Sequence, residues 1–323
     1  MTPAAVRPDL TAPFGPLTLR NPVVAVSGTF AYGDEYDGLV PLAALGAIIT
    51  KTVTVLPRAG NPPPRLAETP CGLLNSIGLT NVGYREFLRK KLPALLDCGT
   101  QVIVNVAGKD AAEFGLLARE VGAAAGVAAI ELNLSCPNVS GGMDCATDPD
   151  ATEEAVRRAA GATRVPIIAK LSPNVTDIVS IARAAERGGA SGISLINTLV
   201  GMSVDVATRR SKLGTNTGGL SGPAIRPVAV AQTWKVVRAV TIPVLGTGGI
   251  ATARDALEFL IVGASAVGVG TATFRDPGAM PAIASGIEAH LVAEGLARLT
   301  DIVGSYVEAP VVTHTAPGEK ETT

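Results

Sequence analysis

The chain has 323 residues, with 27 Lys and Arg against 28 Asp and Glu, so its formal net charge is -1. No run of basic residues could follow a phosphate backbone, which argues against a nucleic-acid partner. Hydrophobic residues make up 47% and aromatic residues 3%, so the core is built from Ala, Val, Leu and Ile, as suits buried parallel strands covered by helices. Every apolar stretch is too short to span a membrane and the first ten residues lack a signal pattern, so we expect a cytoplasmic protein.

The cysteines and histidines limit the metal and redox chemistry. The four cysteines, at positions 71, 98, 136 and 145, contain no Cys-x-x-Cys pair, and the two histidines, at 290 and 314, are close to the carboxyl terminus. This pattern offers neither a zinc ligand set nor a Ser-His-Asp triad, so we expect no metal site. We also expect reduced thiols, because a chain of this size can bury enough surface without disulfides.

Short β-branched runs alternate with Ala-rich stretches of helical spacing, which is the pattern of repeated βα units. About eight units predict one (β/α)₈ TIM barrel, a single domain over residues 1–323 with flexible termini at about 1–8 and 313–323. The predicted strands are Val23–Val26, Ala47–Lys51, Gln101–Val106, Ala129–Leu134, Ile167–Leu171, Gly192–Asn197, Val244–Gly246 and Ala266–Gly270. The predicted helices are Glu35–Leu45, Tyr84–Leu96, Ala111–Ala124, Thr152–Ala162, Thr176–Arg187, Ile225–Val240, Ala253–Val262 and Pro277–Glu294.

Two connections, from Lys51 to Tyr84 and from Thr198 to Gly222, are too long and polar to be simple turns. Both follow predicted strands, so in a barrel they lie on the face that carries active sites. We interpret them as candidate lids or substrate contacts, with surface elaboration as the alternative.

Polar residues recur where the predicted strands end, and in a barrel these ends converge on one site. Two lysines and three asparagines supply cationic and amide donors, which suits a planar ligand rich in carbonyls and ring nitrogens. The polar residues are Ser27, Lys51, Thr52, Asn105, Asn133, Lys170, Asn197 and Thr198.

Glycines follow the last two predicted strands, as Gly248-Gly249 and Gly270-Thr271. Many barrels bind a phosphate group there, because glycine lets backbone N–H groups approach it closely. The early part of the chain has no Gly-x-Gly-x-x-Gly after a strand, which favours a mononucleotide over a dinucleotide. Flavin mononucleotide (FMN) fits these features.

Cys136 is the strongest single candidate for a catalytic residue. A cysteine taken at random is more often a small buried hydrophobe. Cys136 instead follows a buried strand, between Ser135 and Pro137 and flanked by Asn133 and Asn138. This stiff, polar loop favours a reactive thiol over a core position.

Several segments together resemble the class 1 dihydroorotate dehydrogenases, in family order and over about residues 12–303. Within that family, Leu74–Leu79 and Leu220–Pro223 are most similar to class 1B, the catalytic subunit of an NAD-linked complex. The segments are Ser27–Phe30, Arg58–Asn61, Asn75–Asn81, Asn105–Gly108, Glu131–Asn138, Lys170–Asn174 and Gly218–Ala224.

The resemblance implies FMN-dependent oxidation of dihydroorotate to orotate in pyrimidine (UMP) biosynthesis. Cys136 is then the general base at C5 while hydride passes from C6 to the flavin N5, Lys51 bridges flavin and substrate, and Lys170 stabilises negative charge on the flavin. The implied substrate residues are Lys51, Asn75, Ser76, Ile77, Gly78, Leu79, Asn133, Asn138, Asn197 and Thr198. The implied cofactor residues are Ser27, Lys51, Thr52, Asn105, Asn133, Lys170, Ile196, Gly222, Gly248, Gly249, Gly270 and Thr271.

The resemblance to class 1B also implies a partner. A homodimeric core would join an electron-transfer subunit that carries FAD and a [2Fe-2S] cluster, giving a heterotetramer that passes electrons to NAD. The alternatives are a class 1A homodimer that reduces fumarate, a related FMN barrel that reduces pyrimidines, and a flavin-binding scaffold without activity.

Overall fold

Eight parallel strands form the centre of the molecule in a computed structural model, which describes residues 7–36, 38–135 and 145–310. Each strand pairs with the next along the chain and the eighth pairs with the first, so the sheet closes into a barrel. The predicted (β/α)₈ barrel is confirmed, and each predicted strand overlaps an observed one. The strands are β1 (Val23–Ala25), β2 (Ala47–Ile49), β3 (Gln101–Val106), β4 (Val127–Asn133), β5 (Ile167–Lys170), β6 (Gly192–Leu195), β7 (Val244–Thr247) and β8 (Ala266–Val269).

The barrel strands are apolar on both faces, because one face lines the interior and the other lies under helices. All residues of β2, β5 and β8 are buried. Several of the few aromatic side chains are fully buried in the core. Phe87, Phe114 and Phe259 are each at most 1% exposed.

Helices follow the strands and begin at recognisable caps. Asp110, Asp148 and Asp177 each accept a backbone N–H bond from the first turn of the next helix, which satisfies donors that the helix leaves open. These caps fix where each loop at the strand ends stops. The longer helices are Ala111–Gly122, Pro149–Ala162, Ile178–Arg187, Arg226–Val237, Ala253–Ile261 and Ala279–Ala293; Ala272–Arg275 is short, and Tyr84–Glu86 continues through π-helical Phe87–Lys91 into Leu92–Leu96.

The first predicted helix, Glu35–Leu45, is wrong. The structure has two short 3₁₀ turns there, Asp34–Tyr36 and Leu42–Ala44. Gly38 between them has φ +73°, and Pro41 has no N–H to donate. A left-handed residue followed by a proline stops a helix that the apolar spacing alone favours.

The two long connections contain strands that the sequence did not reveal. A four-stranded antiparallel sheet, called here the mouth sheet, joins them. Both connections follow the carboxyl ends of barrel strands, β2 and β6, so the mouth sheet lies at the active-site face. Its strands, in spatial order, are Leu199–Gly201, Gly218–Ser221, Gly72–Asn75 and Leu66–Thr69.

A hairpin of Ala12–Phe14 and Leu17–Leu19 lies at the opposite end of the barrel. A Cβ on Gly15 at its tip would lie 2.6 Å from the backbone oxygen of Ser191, just before β6. The hairpin therefore packs against the start of β6, at the end of the barrel away from the mouth sheet. Within the described residues no helix is long and apolar enough to cross a membrane, and the cytoplasmic location stays a prediction.

Candidate active site

A carboxylate is buried inside the barrel just below its mouth. Glu131 on β4 is 1% exposed and accepts hydrogen bonds from Asn105 Nδ2 on β3 and, at 2.8 Å, from Ser194 Oγ on β6. Lys170 Nζ on β5 lies 3.8 Å from Glu131 Oε1. Three donors surround the carboxylate, which explains how the interior tolerates a buried charge. These four residues are called the charged cluster below.

Asn105 has one amide atom without a partner. Its Nδ2 faces Glu131, whereas its Oδ1 is buried and receives no hydrogen bond in the part of the chain that the structure describes. A buried acceptor left unpaired costs free energy in the protein alone. An open acceptor and an ammonium group that both neighbour Glu131 suit a planar ring that offers both N–H and carbonyl groups. The charged cluster therefore fits a flavin ring.

Two asparagines meet across the mouth. Asn197, after β6, donates from Nδ2 to Asn133 Oδ1 at the end of β4, at 3.2 Å. Asn197 Oδ1 accepts the backbone N–H of Thr198 at 2.8 Å, and the Thr198 carbonyl accepts from Asn174 Nδ2 at 3.0 Å. The structure thus brings three of the predicted substrate residues together.

Asn75 reaches the same place through the mouth sheet. Its Nδ2 donates to the carbonyl of Gly219 at 3.1 Å. A Cβ on Gly219 would lie 2.1 Å from Thr198 Oγ1 and 3.3 Å from Asn75 Nδ2. A residue without a side chain is required here, because it lets Asn75 and Thr198 approach each other.

The predicted substrate segment after Asn75 is a turn held by Asn61. Ser76 Oγ accepts from Asn61 Nδ2 at 2.8 Å, and the Ile77 carbonyl accepts the Asn61 backbone N–H at 3.1 Å. Gly78 and Leu79 have φ of +71° and +54°. A Cβ on Gly78 would lie 2.5 Å from Asn61 Oδ1, so the left-handed turn and the close contact both require glycine there.

Glycines line the mouth beside β7. Gly248 and Gly249 have φ of +131° and +78°. A Cβ on Gly249 would lie 2.8 Å from the carbonyl oxygen of Gly222, and one on Gly248 would lie 3.3 Å from Ile196 Cγ1. A side chain at either position would therefore collide with a neighbouring segment, so only glycine fits here. Backbone N–H groups in such glycine turns can bind an anion.

Thr271 and Gly270, after β8, complete this side. Thr271 Oγ1 donates to Ser221 Oγ at 2.8 Å, which ties β8 to the mouth sheet. A Cβ on Gly270 would lie 3.1 Å from Val26 Cγ2 of the segment after β1. The glycine cradle below means Gly222, Gly248, Gly249, Gly270 and Thr271.

Ser27, Lys51 and Thr52 stand together after β1 and β2. Ser27 Oγ lies 3.4 Å from Thr52 Oγ1, and the Lys51 backbone N–H donates to the Ala31 carbonyl at 2.7 Å. Lys51 Nζ lies 6.0 Å from the ring centroid of Tyr32. The two strand ends thus carry a cation and two hydroxyls to the same sector of the mouth.

Cys136 and Asn138 lie outside the described residues. The chain enters that segment from β4, whose last residue is Asn133. Leu134 is 3% exposed, and Ser135 Oγ is buried and without a partner among the described residues. The role of Cys136 stays a prediction.

Four residues of the site were not predicted from the sequence, namely Glu131, Ser194, Asn174 and Ser221. Glu131 carried a signal, because a charge in the middle of the apolar run Val127–Asn133 is unusual unless it is paired. Serine is common in strands of every kind, so Ser194 and Ser221 carried none. Within residues 7–36, 38–135 and 145–310 no group of three or more His, Cys, Asp or Glu could hold a metal ion.

The fold and the site define a (β/α)₈ barrel whose ligand site lies at the carboxyl ends of its strands. The family model described as dihydroorotate dehydrogenase matches residues 10–291. The chain therefore belongs to the dihydroorotate dehydrogenase family.

Curated relatives indicate the subclass within this family. Three of them, each named dihydroorotate dehydrogenase B (NAD(+)), catalytic subunit, come from Geotalea uraniireducens, Desulforudis audaxviator and Geobacter sulfurreducens. They are 49%, 51% and 50% identical to this chain over 93%, 90% and 93% of it, and over 99%, 94% and 98% of their own lengths. The predicted resemblance to class 1B is confirmed, as is the assignment to the NAD-linked dehydrogenases.

Proposed function

We propose that this chain oxidises dihydroorotate to orotate in pyrimidine biosynthesis, as the catalytic subunit of an NAD-linked complex. The observation that carries the proposal is the barrel mouth, where the charged cluster, the Asn133–Asn197 pair and the glycine cradle converge. Relatives about half identical over nearly their whole length carry the name of this activity.

FMN is the proposed cofactor. One side of the mouth is proposed to bind its phosphate and the other side its ring. The glycine cradle offers backbone N–H groups for the phosphate, while Asn105 and Lys170 offer an acceptor and a cation for the ring. When bound, FMN supplies a hydride acceptor, which protein side chains cannot provide. The other residues proposed to hold it are Ser27, Lys51, Thr52, Asn133 and Ile196.

The amide-rich half of the mouth is proposed to bind the substrate. Dihydroorotate carries one carboxylate and two ring carbonyls, which require N–H donors and a cation. Asn133 and Asn197 are already joined by a hydrogen bond, and Asn197 also accepts the Thr198 backbone N–H, so the two asparagine side chains are oriented before substrate arrives. The remaining proposed contacts are Lys51, Asn75, Ser76, Ile77, Gly78, Leu79 and Asn138.

Cys136 is proposed to take the proton. The C5–H bond breaks, its proton goes to the Cys136 sulfur, and its electron pair forms the C5–C6 double bond. The C6–H bond breaks and its hydrogen leaves with the bonding pair, as hydride, to the acceptor that FMN would supply. Only the thiolate can accept the proton, and a free cysteine has a pKa of about 8.5. Oxidation should therefore become faster from pH 7 towards pH 9. Lys170 places a positive charge beside the ring, where negative charge develops.

The proposed electron path leaves the chain through a partner. We propose a homodimeric core with a second subunit that carries FAD and a [2Fe-2S] cluster and reduces NAD. Co-expression with that subunit and a visible spectrum test this point. Flavin absorbance without iron–sulfur bands in every preparation would contradict it.

The test of the reaction is anaerobic stopped-flow mixing of the FMN-loaded protein with dihydroorotate, followed by the loss of flavin absorbance. Cys136→Ala is expected to slow this loss by about 10²–10⁴-fold at pH 7, whereas Cys98→Ala leaves it unchanged. Wild-type rates in Cys136→Ala would show that another group is the base.

The same experiment separates the alternatives. Rapid reoxidation by fumarate would indicate the class 1A enzyme, and tighter binding of uracil than of orotate would indicate a pyrimidine-reducing relative. A protein that binds FMN but is not reduced by dihydroorotate would contradict the proposed function.

A further inference from the structure

The charged cluster contains a carboxylate that the proposed reaction does not use. Glu131 neither faces a proposed substrate contact nor ends a strand, yet three polar side chains point at it from three strands. A barrel interior is usually filled with bulky apolar residues at this level. A buried charge there costs free energy. We therefore expect a function that requires it.

The partners of Glu131 are set by strand register. Asn105 lies directly beside Glu131 across β3 and β4, and Ser194 lies beside Lys170 across β5 and β6. All four side chains are less than 10% exposed. The backbone therefore presents an amide, an ammonium and a hydroxyl group from β3, β5 and β6 to one carboxylate on β4.

The carboxylate determines which way the Asn105 amide points. An ionised carboxylate only accepts hydrogen bonds, so the neighbouring amide has to present its NH₂ group to it. The reversed amide would place Asn105 Oδ1 against a carboxylate oxygen, which is repulsive. With Nδ2 on Glu131, Oδ1 is left as the open acceptor.

We propose that Glu131 is a positioning residue, which fixes the Asn105 oxygen toward the ligand and holds the Lys170 ammonium beside it. The inference rests on the proposed function, because Asn105 and Lys170 are the residues proposed to hold the flavin ring. Glu131 itself touches neither substrate nor cofactor, and its effect on both is transmitted through these two side chains.

The experiment measures FMN binding to apoprotein by quenching of flavin fluorescence. Glu131→Gln keeps the shape of the side chain but removes its charge. The new glutamine amide can pair with the Asn105 amide in either of its two orientations. We expect FMN affinity to fall about tenfold, the size of one charge-assisted hydrogen bond. Glu294→Gln, on the exposed end of the last helix, is the matched control and should bind like wild type.

An exchange variant distinguishes positioning from packing. In Asn105→Asp combined with Glu131→Gln, the glutamine amide donates to one aspartate oxygen and the other oxygen faces the ligand. The net charge and the open acceptor are both restored, so FMN affinity should return to within about threefold of wild type. The visible spectrum of bound FMN should return with it.

Each result either supports or overturns the inference that Glu131 positions Asn105 and Lys170. Wild-type affinity in Glu131→Gln, or an exchange variant that binds no better than Glu131→Gln, would overturn the inference. If Glu131→Gln does not fold, as judged by thermal unfolding of the apoprotein, the exchange variant decides by its own affinity relative to wild type. Failure of the wild-type chain to bind FMN would instead contradict the proposed function.

Discussion

The two sides of the barrel mouth are built by opposite means. The charged cluster on β3 to β6 uses buried side chains whose positions depend on one another. The glycine cradle after β6, β7 and β8 instead depends on missing side chains, since a Cβ on Gly249 would lie only 2.8 Å from the Gly222 carbonyl oxygen. Side chains can be tuned to a ring whose charge changes during a reaction, whereas fixed N–H groups suit a phosphate whose charge stays constant.

This difference predicts that mutations on the two sides of the mouth affect different measured quantities. Removal of the Lys170 charge should slow flavin reduction more than it weakens FMN binding, because negative charge develops there. Changes in the glycine cradle should do the reverse, because the phosphate takes no part in the chemistry. A mutation on one side that mainly changes the quantity assigned to the other side would show that the two sides are coupled.

Among variants on the two sides of the mouth, the largest effect is expected for Lys170→Met. The variant removes the cation beside the proposed ring site and leaves Glu131 with two of its three donors. We expect flavin reduction by dihydroorotate to slow by about 10²–10³-fold, the usual loss when one stabilising group is removed. Stopped-flow absorbance measures it, and Lys235→Met on an exposed helix surface is the control. An unchanged rate would remove Lys170 from the mechanism.

Gly249→Ala should affect binding and leave the chemistry intact. The new Cβ would lie 2.8 Å from Gly222 O and from Arg226 Cβ at a residue with φ +78°. Strain of this kind costs about 1–3 kcal/mol, so we expect FMN affinity to fall by roughly 10–100-fold. Reduction at saturating FMN should stay within about threefold of wild type.

Gly161→Ala is the matched control for that variant. Gly161 lies inside a helix and a Cβ there would meet nothing within 4 Å, so alanine should stabilise the protein by about 0.5–1 kcal/mol. Equal FMN loss in both variants would mean that the cradle has no special role.

The barrel could be predicted from the sequence because its signals are local. β3 and β4 are mainly apolar runs, interrupted by site residues such as Asn105 and Glu131, and the helix after β7 begins with a capping box at Thr252. The turn at Gly38 and Pro41 shows the limit of such signals, since apolar spacing favours a helix that the backbone cannot form there.

The mouth sheet could not be predicted in the same way. Its central pairing joins Asn75 to Gly219, which are far apart in the chain, and its strands are short and only partly buried. The site residues at strand ends were accessible from the sequence, because a parallel barrel brings them together. The links between them, such as Glu131 with Ser194, depend on side chains from different strands.

Ser76→Ala should have a smaller effect, confined to the substrate half of the mouth. Ser76 Oγ accepts hydrogen bonds from Asn61 Nδ2 and, at 2.6 Å, from Thr215 Oγ1. Its loss leaves the Asn61 donor unpaired, at a cost of about 1 kcal/mol, and we expect roughly fivefold weaker orotate binding. Spectral titration of the FMN-loaded protein with orotate measures this, with Ser305→Ala as control. Altered FMN affinity with normal orotate affinity would contradict the division.

The smallest effect is expected at Asp205, in the hairpin of Val204–Asp205 and Arg210–Ser211. The backbone N–H and the hydroxyl of Thr208 both donate to Asp205 Oδ1, at 2.7 and 2.9 Å, and lower the pKa of that carboxyl. Because the folded-state pKa is depressed, its stabilising contribution is present above the ordinary value of about 3.9 and lost as pH falls through the folded value.

Titration of the Asp205 carboxyl by NMR should therefore give a midpoint below the ordinary value, and Thr208→Val should move it upward. Neither Thr208→Val nor Asp205→Asn should change FMN affinity or the rate of flavin reduction, because the hairpin contributes to neither side of the mouth. A change in either quantity would extend the functional surface from the barrel mouth into this insertion.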